Sequence, residues 1–205
     1  MIRSDRKVLD ETSANRDPLG IFKEWFKEAS ESGVLLPEAM SLATATRDAK
    51  PSNRTVLLKG FDKNGFRFYT NYESRKALEL DENPHASLVF HWAILNRQIR
   101  IEGDVSRLTE KESSDYFKTR PRNSQIGAWA SKQSASLDSR ERLLKKFQLY
   151  QKQFLDTEIP LPPFWGGYIL LPHTIEFWEG KDDRLHDRLL FLRRGTTWES
   201  ERLFP

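Results

Sequence analysis

The sequence predicts a mainly β, α+β fold in which antiparallel strands close into a barrel and helices lie around it. Two observations predict this fold. Many short apolar runs are separated by turn residues at regular intervals, and only a few segments between them carry the apolar spacing of a helix. This pattern favours an antiparallel barrel over a parallel sheet. Closure of the barrel would also hide the strand edges.

Composition excludes several classes of protein. The 205 residues carry 33 Lys and Arg against 30 Asp and Glu, and a net charge of +3 is too small for charge-driven disorder. The longest apolar runs have four residues, whereas a membrane helix needs roughly 20. The first eleven residues are charged and hold no apolar stretch, so we expect no secretory signal and a soluble cytoplasmic protein. Without cysteine there are no disulfides and no Cys-ligated metal sites.

The first half of the chain predicts one helix followed by an antiparallel meander. Asp17 is an N-cap, Pro18 occupies the first helical position, and Gly33 ends this helix. Turn compositions then separate short β-like runs. The predicted strands and a brief helix between them are residues 40–46, 54–60 and 65–70, the helix 74–80, and the strands 86–92 and 97–108.

The second half predicts two helices and then more strands. Thr109 and Glu112 form a capping box that opens a helix reaching about Lys118, and apolar residues from Leu143 to Phe154 indicate another. Four closing strands are predicted near residues 167–171, 174–179, 186–193 and 198–203. No repeat or linker divides the sequence, so we expect one domain over residues 1–205, with residues 1–16 as a flexible amino-terminal segment.

The absence of several known motifs excludes the common enzyme classes that carry them. The chain contains no G-x-S-x-G, H-E-x-x-H, G-x-x-x-x-G-K-[ST] or G-x-G-x-x-G motif. Its histidines lack the paired spacing of metal ligands, so we expect no metal site. The conspicuous features that remain are three clusters of cations.

The first cluster begins with the strand between Arg54 and Lys59 and continues at Ser74, Arg75 and Lys76. An Arg fork, a Lys charge and the free N–H groups of a helix start are suited to a phosphate. Arg54 and Lys59 are five residues apart and face opposite sides of a regular strand, so one phosphate could not take both without a bulge. The alternative is that Arg75 and Lys76 lie on a solvated helix face.

The second cluster follows the capped helix. Tyr116 and Arg120 are i,i+4 neighbours if the helix extends that far, and Pro121 forces an extended exit that would bring Ser124 back toward them. A phenol, a guanidinium and a hydroxyl then converge. The alternative is that Arg120 and Arg122 interact with the helix dipole.

The third cluster is R-L-H-D-R near the carboxyl terminus. A period of two places Arg184, His186 and Arg188 on one face of a strand, where three donors would repel one another unless they bind an anion. The alternative is an exposed polar face with a solvated histidine.

Six motifs occur in an order and spacing that resemble one family: R-x-V-L-L-K, F-Y-T-N-x-x-S-R-K, R-P-R-x-S-Q-I-G-A-W-x-S-x-Q-S, P-x-F-W-G-G-Y, E-F-W-x-G and R-L-H-D-R. The chain resembles pyridoxine/pyridoxamine 5′-phosphate oxidases over nearly all of residues 17–205. The resemblance implies an FMN-binding split β-barrel of six antiparallel strands with peripheral helices. It also implies a homodimer with FMN at the subunit interface, each site drawing on both chains.

The resemblance also implies roles for particular residues. Those implied to bind FMN are Arg54, Thr55, Val56, Leu57, Leu58, Lys59, Tyr69, Thr70, Arg75, Lys76, Gln98, Gln133, Ser134, Trp178 and Arg188. Those implied to bind the substrate are Lys59, Tyr116, Arg120 and Ser124 at its phosphate and Arg184 and His186 at its pyridine ring. Arg184 and His186 are the expected catalytic residues, because Arg184 would align the substrate C4′ with flavin N5 and His186 would support ring binding.

The implied reaction oxidises pyridoxine 5′-phosphate or pyridoxamine 5′-phosphate to pyridoxal 5′-phosphate. Dioxygen is the acceptor, hydrogen peroxide is formed, and the amine substrate also releases ammonia. Three alternatives stay open: a split-barrel flavin oxidoreductase acting on another substrate, a basic nucleic-acid-binding barrel, and a B6 carrier without flavin. The two substrate-binding clusters favour the B6 oxidase, and the small net charge argues against nucleic acid as a partner. We also expect no membrane partner.

Overall fold

The structure is a computed structural model, and it describes residue 9 and residues 12–205. Within these residues nine strands form one antiparallel sheet, and five α-helices surround it. The strands are β1 (Ala39–Ala45), β2 (Pro51–Leu57), β3 (Gly60–Asp62), β4 (Gly65–Asn71), β5 (His85–Trp92), β6 (Arg97–Arg107), β7 (Trp165–Glu179), β8 (Asp187–Arg194) and β9 (Thr197–Arg202). The helices are α1 (Pro18–Glu31), α2 (Arg75–Glu82), α3 (Glu110–Thr119), α4 (Arg122–Ala130) and α5 (Arg140–Gln153).

The sheet curls into a half-barrel because its two end strands are neighbours in sequence. The strand order is β2-β1-β5-β6-β7-β4-β3, yet only two residues separate β2 from β3. The Lys59 N–H donates to the Arg67 carbonyl at 2.8 Å, which joins this connection to β4. The loop that carries Lys59 therefore lies where the two ends of the sheet approach each other.

β7 is the longest strand and organises the rest of the sheet. β6 runs along one edge of β7, while the other edge pairs first with β4 and then with β8. β8 and β9 form a hairpin at this second position. The described sheet therefore has three more strands than the six-stranded barrel that the resemblance implies, because β3 and the β8–β9 hairpin extend it.

The main core lies between the concave face of the sheet and α1. Phe22 of α1 is fully buried and meets Phe66 and Phe90 edge to face, with ring centroids 5.0 and 5.2 Å apart. A second, smaller core packs α3, α4 and α5 around Phe117 and Trp165. This second core fixes the α3–α4 junction against the start of β7, where the candidate site lies.

Most predicted elements are confirmed where local signals define them. The Asp17 carboxylate accepts hydrogen bonds from the backbone N–H groups of residues 19 and 20, and the Thr109–Glu112 capping box is present. The predicted strands near 167–171 and 174–179 are one strand, β7. Pro172 separates the two runs in the sequence, and the strand continues through it because the register with β6 shifts between Glu102 and Gly103.

Three features differ from the sequence analysis. Arg184 is not in a strand: it ends a short 3-10 turn (Asp182–Arg184) in which Asp183 and Arg184 have φ values of 55° and 62°. The period-of-two interpretation is therefore wrong for Arg184, and β8 begins only at Asp187. The sequence analysis also missed β3 and α4. α4 follows directly after Pro121 and buries only two side chains, so it carries little apolar periodicity.

The expected flexible segment at residues 1–16 falls mostly outside the described residues. Of the part that is described, Leu9 is buried in the main core, and Ser13–Asn15 form a 3-10 turn. Ser200 of β9 donates to the Ala14 carbonyl at 2.8 Å, which ties this turn to the sheet. No helix among the described residues has the length and apolar character needed to cross a bilayer.

A candidate ligand-binding cleft

A cleft of about 790 Å³ opens where β2, the start of α2 and the α3–α4 junction meet. We call it the cation cleft because Arg54, Lys59, Arg75, Lys76 and Arg120 all line it. Its volume lies within the range of small-molecule sites, roughly 300–1,000 Å³. The sequence-predicted site residues that line it are Arg54, Thr55, Val56, Leu57, Lys59, Tyr69, Thr70, Arg75, Lys76, Tyr116, Arg120, Ser124, Gln133 and Ser134.

Arg54 is held at the floor of the cleft by a buried carboxylate. Its two terminal nitrogens donate to the hydroxyls of Thr44 and Ser52, and both hydroxyls donate in turn to Oε2 of Glu79. Glu79 is 3% exposed. Burial by itself would raise the pKa of Glu79, but the hydrogen bonds from the two hydroxyls, Arg75 and Arg54 lower it to about 2. The carboxylate is therefore charged across the whole physiological pH range.

The helix start beside Arg54 adds two more cations. Arg75 donates from Nε to Oε1 of Glu79 at 2.8 Å and is otherwise largely exposed to the cleft. Lys76 is 6% exposed, and its Nζ donates to Thr70 at 2.9 Å and to Ser74 at 3.1 Å. Burial and the charge of Arg54 lower the pKa of Lys76 to about 8, although Glu79 opposes them. The alternative of a solvated helix face is therefore wrong for Lys76.

The loop after α4 closes this side of the cleft. Gln133 accepts through Oε1 from the Thr70 hydroxyl at 3.0 Å and from the Asn71 N–H at 3.3 Å. The next residue, Ser134, has a left-handed backbone with φ of 71°. This conformation turns the loop across the end of β4, so that both residues line the cleft.

Aromatic rings form the opposite wall. Tyr69 and Tyr116 stack with centroids 3.9 Å apart, and Trp165 is nearly parallel to Tyr69 at 5.6 Å. The Arg120 guanidinium lies over the Trp165 ring at 4.7 Å. Burial raises the pKa values of Tyr69 and Tyr116, so both phenols stay protonated at neutral pH. The sequence analysis did not select Trp165, although it stands in the F-W-G-G-Y motif.

Arg120 is the cation in this wall with an unmet donor. Its Nη1 is buried and has no hydrogen-bond partner within the described part of the chain, and burial lowers its pKa. The Arg120 guanidinium also lines the cleft, and its fork of N–H groups is suited to bind an anion there. The neighbouring Arg122 differs, because its guanidinium donates to the carbonyls of Phe154, Leu155 and Thr157 after α5. Arg122 therefore stabilises the fold.

Two breaks in regular structure, at the end of β2 and between α3 and α4, bring the other predicted residues to the cleft. β2 ends at Leu57, so strand alternation does not reach Lys59, and Arg54 and Lys59 line the same cleft. The extended backbone of Arg120 and Pro121 separates α3 from α4 and places Ser124 at the start of the second helix. Tyr116, Arg120 and Ser124 then line one cleft, as the sequence predicts.

Six predicted residues lie elsewhere. Leu58 is 5% exposed and belongs to the main core. Five do not line the cation cleft of their own chain, namely Gln98, Trp178, Arg184, His186 and Arg188. Gln98, Trp178 and Arg188 are cross-strand neighbours on β6, β7 and β8, and the His186 ring lies 4.7 Å from the Trp178 ring. We call these five residues the β8 cluster.

Comparison with known proteins identifies close relatives over the whole chain. The family profile described as "Pyridoxamine 5′-phosphate oxidase" matches residues 26–154, and the profile described as "Pyridoxine 5′-phosphate oxidase C-terminal dimerisation region" matches residues 165–205. A pyridoxine/pyridoxamine 5′-phosphate oxidase of Colwellia psychrerythraea is 53% identical, with 96% of this chain and 91% of that protein covered. The oxidase of the same name from Rubrobacter xylanophilus is 52% identical, with 98% and 92% covered.

Solved structures give the same fold. PhzG from Burkholderia lata, in complex with tetrahydrophenazine-1-carboxylic acid, superposes with a TM-score of 0.91 at 34% identity, covering 97% of this chain and 98% of PhzG. A pyridoxamine 5′-phosphate oxidase-related, FMN-binding protein from Nostoc punctiforme superposes with a TM-score of 0.74 at 19% identity, covering 93% and 99%. At that identity the second likeness shows the fold alone.

The position of Lys76 generates a prediction for the ligand-free protein. We expect its ammonium group to titrate near pH 8, and we expect Arg54→Gln to move its pKa back toward 10.5 by removing a nearby positive charge. NMR of lysine side chains across pH 6–11 would measure both values. Arg67→Gln is the matched control, because that guanidinium pairs with Asp62. A Lys76 that titrates at 10.5 in the unsubstituted protein would contradict the burial argument.

Proposed function

The chain belongs to the pyridoxamine 5′-phosphate oxidase family, and we propose that its cation cleft binds FMN next to pyridoxine 5′-phosphate or pyridoxamine 5′-phosphate. It is a flavin-dependent oxidoreductase acting on these phosphorylated B6 vitamers, as its relatives at about 50% identity are named. It forms a homodimer through the carboxyl-terminal region that matches the dimerisation profile. The observation that carries the substrate assignment is that Arg120 lines the cleft together with Lys59, Tyr116 and Ser124.

The residues of the cleft fit a flavin phosphate at the start of α2. Arg54, Arg75 and Lys76 surround this position, and Glu79 offsets one of their charges. The remaining charge matches a phosphate dianion, and the first turn of the helix adds free N–H donors. Thr55, Val56 and Leu57 on β2, with Tyr69, Thr70, Gln133 and Ser134, would hold the rest of the cofactor. When bound, FMN would accept two electrons from the substrate C4′ and pass them to dioxygen, giving hydrogen peroxide.

The aromatic side of the cleft fits the substrate phosphate. Arg120, Lys59, Tyr116 and Ser124 line the same space and supply two cations and two hydroxyls. The cation–π contact with Trp165 fixes the guanidinium plane before the substrate arrives. Binding energy from the non-reacting phosphate would then orient the pyridine ring. The stacked rings of Tyr69, Tyr116 and Trp165 give this end of the cleft an aromatic wall.

The β8 cluster fits a role in the partner's cleft. Gln98, Trp178 and Arg188 lie on the half-exposed face of the sheet, while the alternate residues of the same strands are buried in the core. Trp178 and Arg188 also lie within the region that matches the dimerisation profile. We infer that dimerisation brings the β8 cluster of one subunit to the cation cleft of the other. Arg184 and His186 would then contact the substrate ring and align its C4′.

The structure fixes the tautomer of His186. Its Nδ1 accepts a hydrogen bond from the Lys181 N–H at 3.1 Å, so the proton of the neutral ring is on Nε2. Nε2 is therefore the atom that can donate to the substrate ring. The backbone at Asp183 and Arg184 is left-handed, and the Arg184 side chain is exposed. These two groups orient the substrate and require no proton transfer through a triad.

The main rival is a flavin oxidase that acts on an unphosphorylated ring. PhzG, which is 34% identical, was crystallised with tetrahydrophenazine-1-carboxylic acid. Two cations, Lys59 and Arg120, line this cleft, and together they match a phosphate dianion better than the single charge of a ring carboxylate. A side-by-side assay with both substrate types separates the two functions.

The direct test of the function is an anaerobic titration of the FMN-reconstituted homodimer with pyridoxine 5′-phosphate and then with pyridoxamine 5′-phosphate. We expect the visible flavin band to bleach and to return in air, with pyridoxal 5′-phosphate formed. Unphosphorylated pyridoxine is the control and should bleach the band far more slowly. Bleaching by tetrahydrophenazine-1-carboxylic acid but by neither vitamer phosphate would establish the rival.

The shared site predicts subunit complementation. Arg120→Ala and Arg184→Ala homodimers should each lose most of their activity. When the two variants are unfolded and refolded as a mixture, half of the dimers are hybrids, and each hybrid holds one intact site. Activity should therefore recover to about a quarter of the unsubstituted level. Lys118→Ala, in the last turn of the helix that Arg120 follows and paired with Glu158, is the matched control. No recovery in the mixture would place Arg184 in the cleft of its own chain or outside the site.

A further inference from the structure

Glu79 is a carboxylate buried beneath a cleft whose other charged groups are cations. Its side chain is 4% exposed, and it contacts Arg54 at 3.3 Å and Arg75 at 2.8 Å. A negative charge this close to a phosphate position would weaken phosphate binding if it acted only through its charge. A role of Glu79 in phosphate binding must therefore act through its hydrogen bonds rather than through its charge alone.

The hydrogen bonds that join Glu79 to Arg54 through two hydroxyl groups form a closed ring. Only one assignment of donors and acceptors satisfies this ring. The hydroxyls of Thr44 and Ser52 each have a single hydrogen, and both contact Oε2 of Glu79. Their lone pairs are then directed at the two terminal nitrogens of Arg54. Thr44 and Ser52 are directly paired positions of β1 and β2, so the ring rests on rigid strands. Because Glu79 is charged, each of these groups has only one way to satisfy its hydrogen bonds.

Glu79 also connects the two elements that carry the cations. Arg54 lies on β2, whereas Arg75 and Glu79 itself lie on α2. Oε2 takes the β-strand side of the network and Oε1 takes Arg75. We propose that Glu79 is a positioning residue that sets Arg54 and Arg75 in the geometry of the flavin phosphate. This role rests on the proposed function, because it presupposes that FMN occupies the cation cleft.

A positioning role and a purely structural role predict different effects on flavin binding. A residue that only held α2 on the sheet would, when replaced, weaken the binding of every flavin alike. A residue that positions Arg54 and Arg75 affects only flavins with a phosphate. Riboflavin, which lacks the phosphate, is therefore the discriminating ligand.

The experiment compares FMN and riboflavin binding to the apo-homodimer by quenching of flavin fluorescence. In Glu79→Gln the amide N–H group faces a donor from which the Glu79 carboxylate accepts a hydrogen bond. Arg54 or Arg75 then loses its partner. We expect the Kd for FMN to rise about tenfold or more, as for the loss of a charged hydrogen bond, and the Kd for riboflavin to stay within about twofold. Glu82→Gln, an exposed residue of the same helix, removes the same charge and should change neither.

A second variant avoids any change in charge. Thr44 is buried and does not line the cation cleft, so Thr44→Val can reach the flavin phosphate only through Glu79 and Arg54. We expect the same phosphate-specific loss, in smaller amount, with a thermal transition that shows a folded protein. Equal losses for FMN and riboflavin, or an FMN affinity that is unchanged or tighter in folded Glu79→Gln, would overturn the proposal. If the unsubstituted protein bound riboflavin as tightly as FMN, the proposed function itself would fail.

Discussion

The cation cleft depends on the contact of one buried carboxylate with two arginines. Arg54, Arg75 and Lys76 carry like charges into a partly dry space, which is unfavourable before any ligand arrives. Glu79 compensates part of this charge, and its pKa of about 2 reflects how strongly the surrounding donors stabilise its anion. Burial, and after it the charge of Arg54, still lower the pKa of Lys76 to about 8, although Glu79 opposes both. The cleft therefore carries an excess of positive charge that a bound anion would neutralise.

Sheet topology explains why this cleft lies where it does. β2 and β3 are adjacent in sequence but lie at opposite ends of the strand order, so the curled sheet brings β2 close to β4 and α2. The second core then sets the α3–α4 junction against the same opening, which adds Arg120 and the aromatic wall. Two cationic positions result from this arrangement, one at Arg54, Arg75 and Lys76 beside Glu79 and one at Arg120 over Trp165. In the proposed function the cofactor phosphate takes the first position and the substrate phosphate takes the second.

The sequence predicts those parts of the molecule that are defined locally. The Asp17–Pro18 start of α1, the capping box of α3 and the cation motifs on β2 and α2 involve neighbouring residues, and the structure places them as expected. The sequence does not predict the contacts between distant segments. Trp165 gains its role from stacking on Tyr69, and the unbroken β7 depends on a register shift with β6. Glu79 looks like a surface residue of a short polar helix until Thr44 and Ser52 are placed opposite it.

In the proposed function the cleft holds two phosphates at two different sets of cations. Phosphorus-31 NMR of the homodimer loaded with FMN and pyridoxal 5′-phosphate would detect them separately. We expect two bound resonances, both from dianions. Arg54→Gln should shift or broaden only the FMN resonance, and Arg120→Gln should affect only that of the vitamer. A single bound resonance, or two that respond equally to both substitutions, would contradict the account.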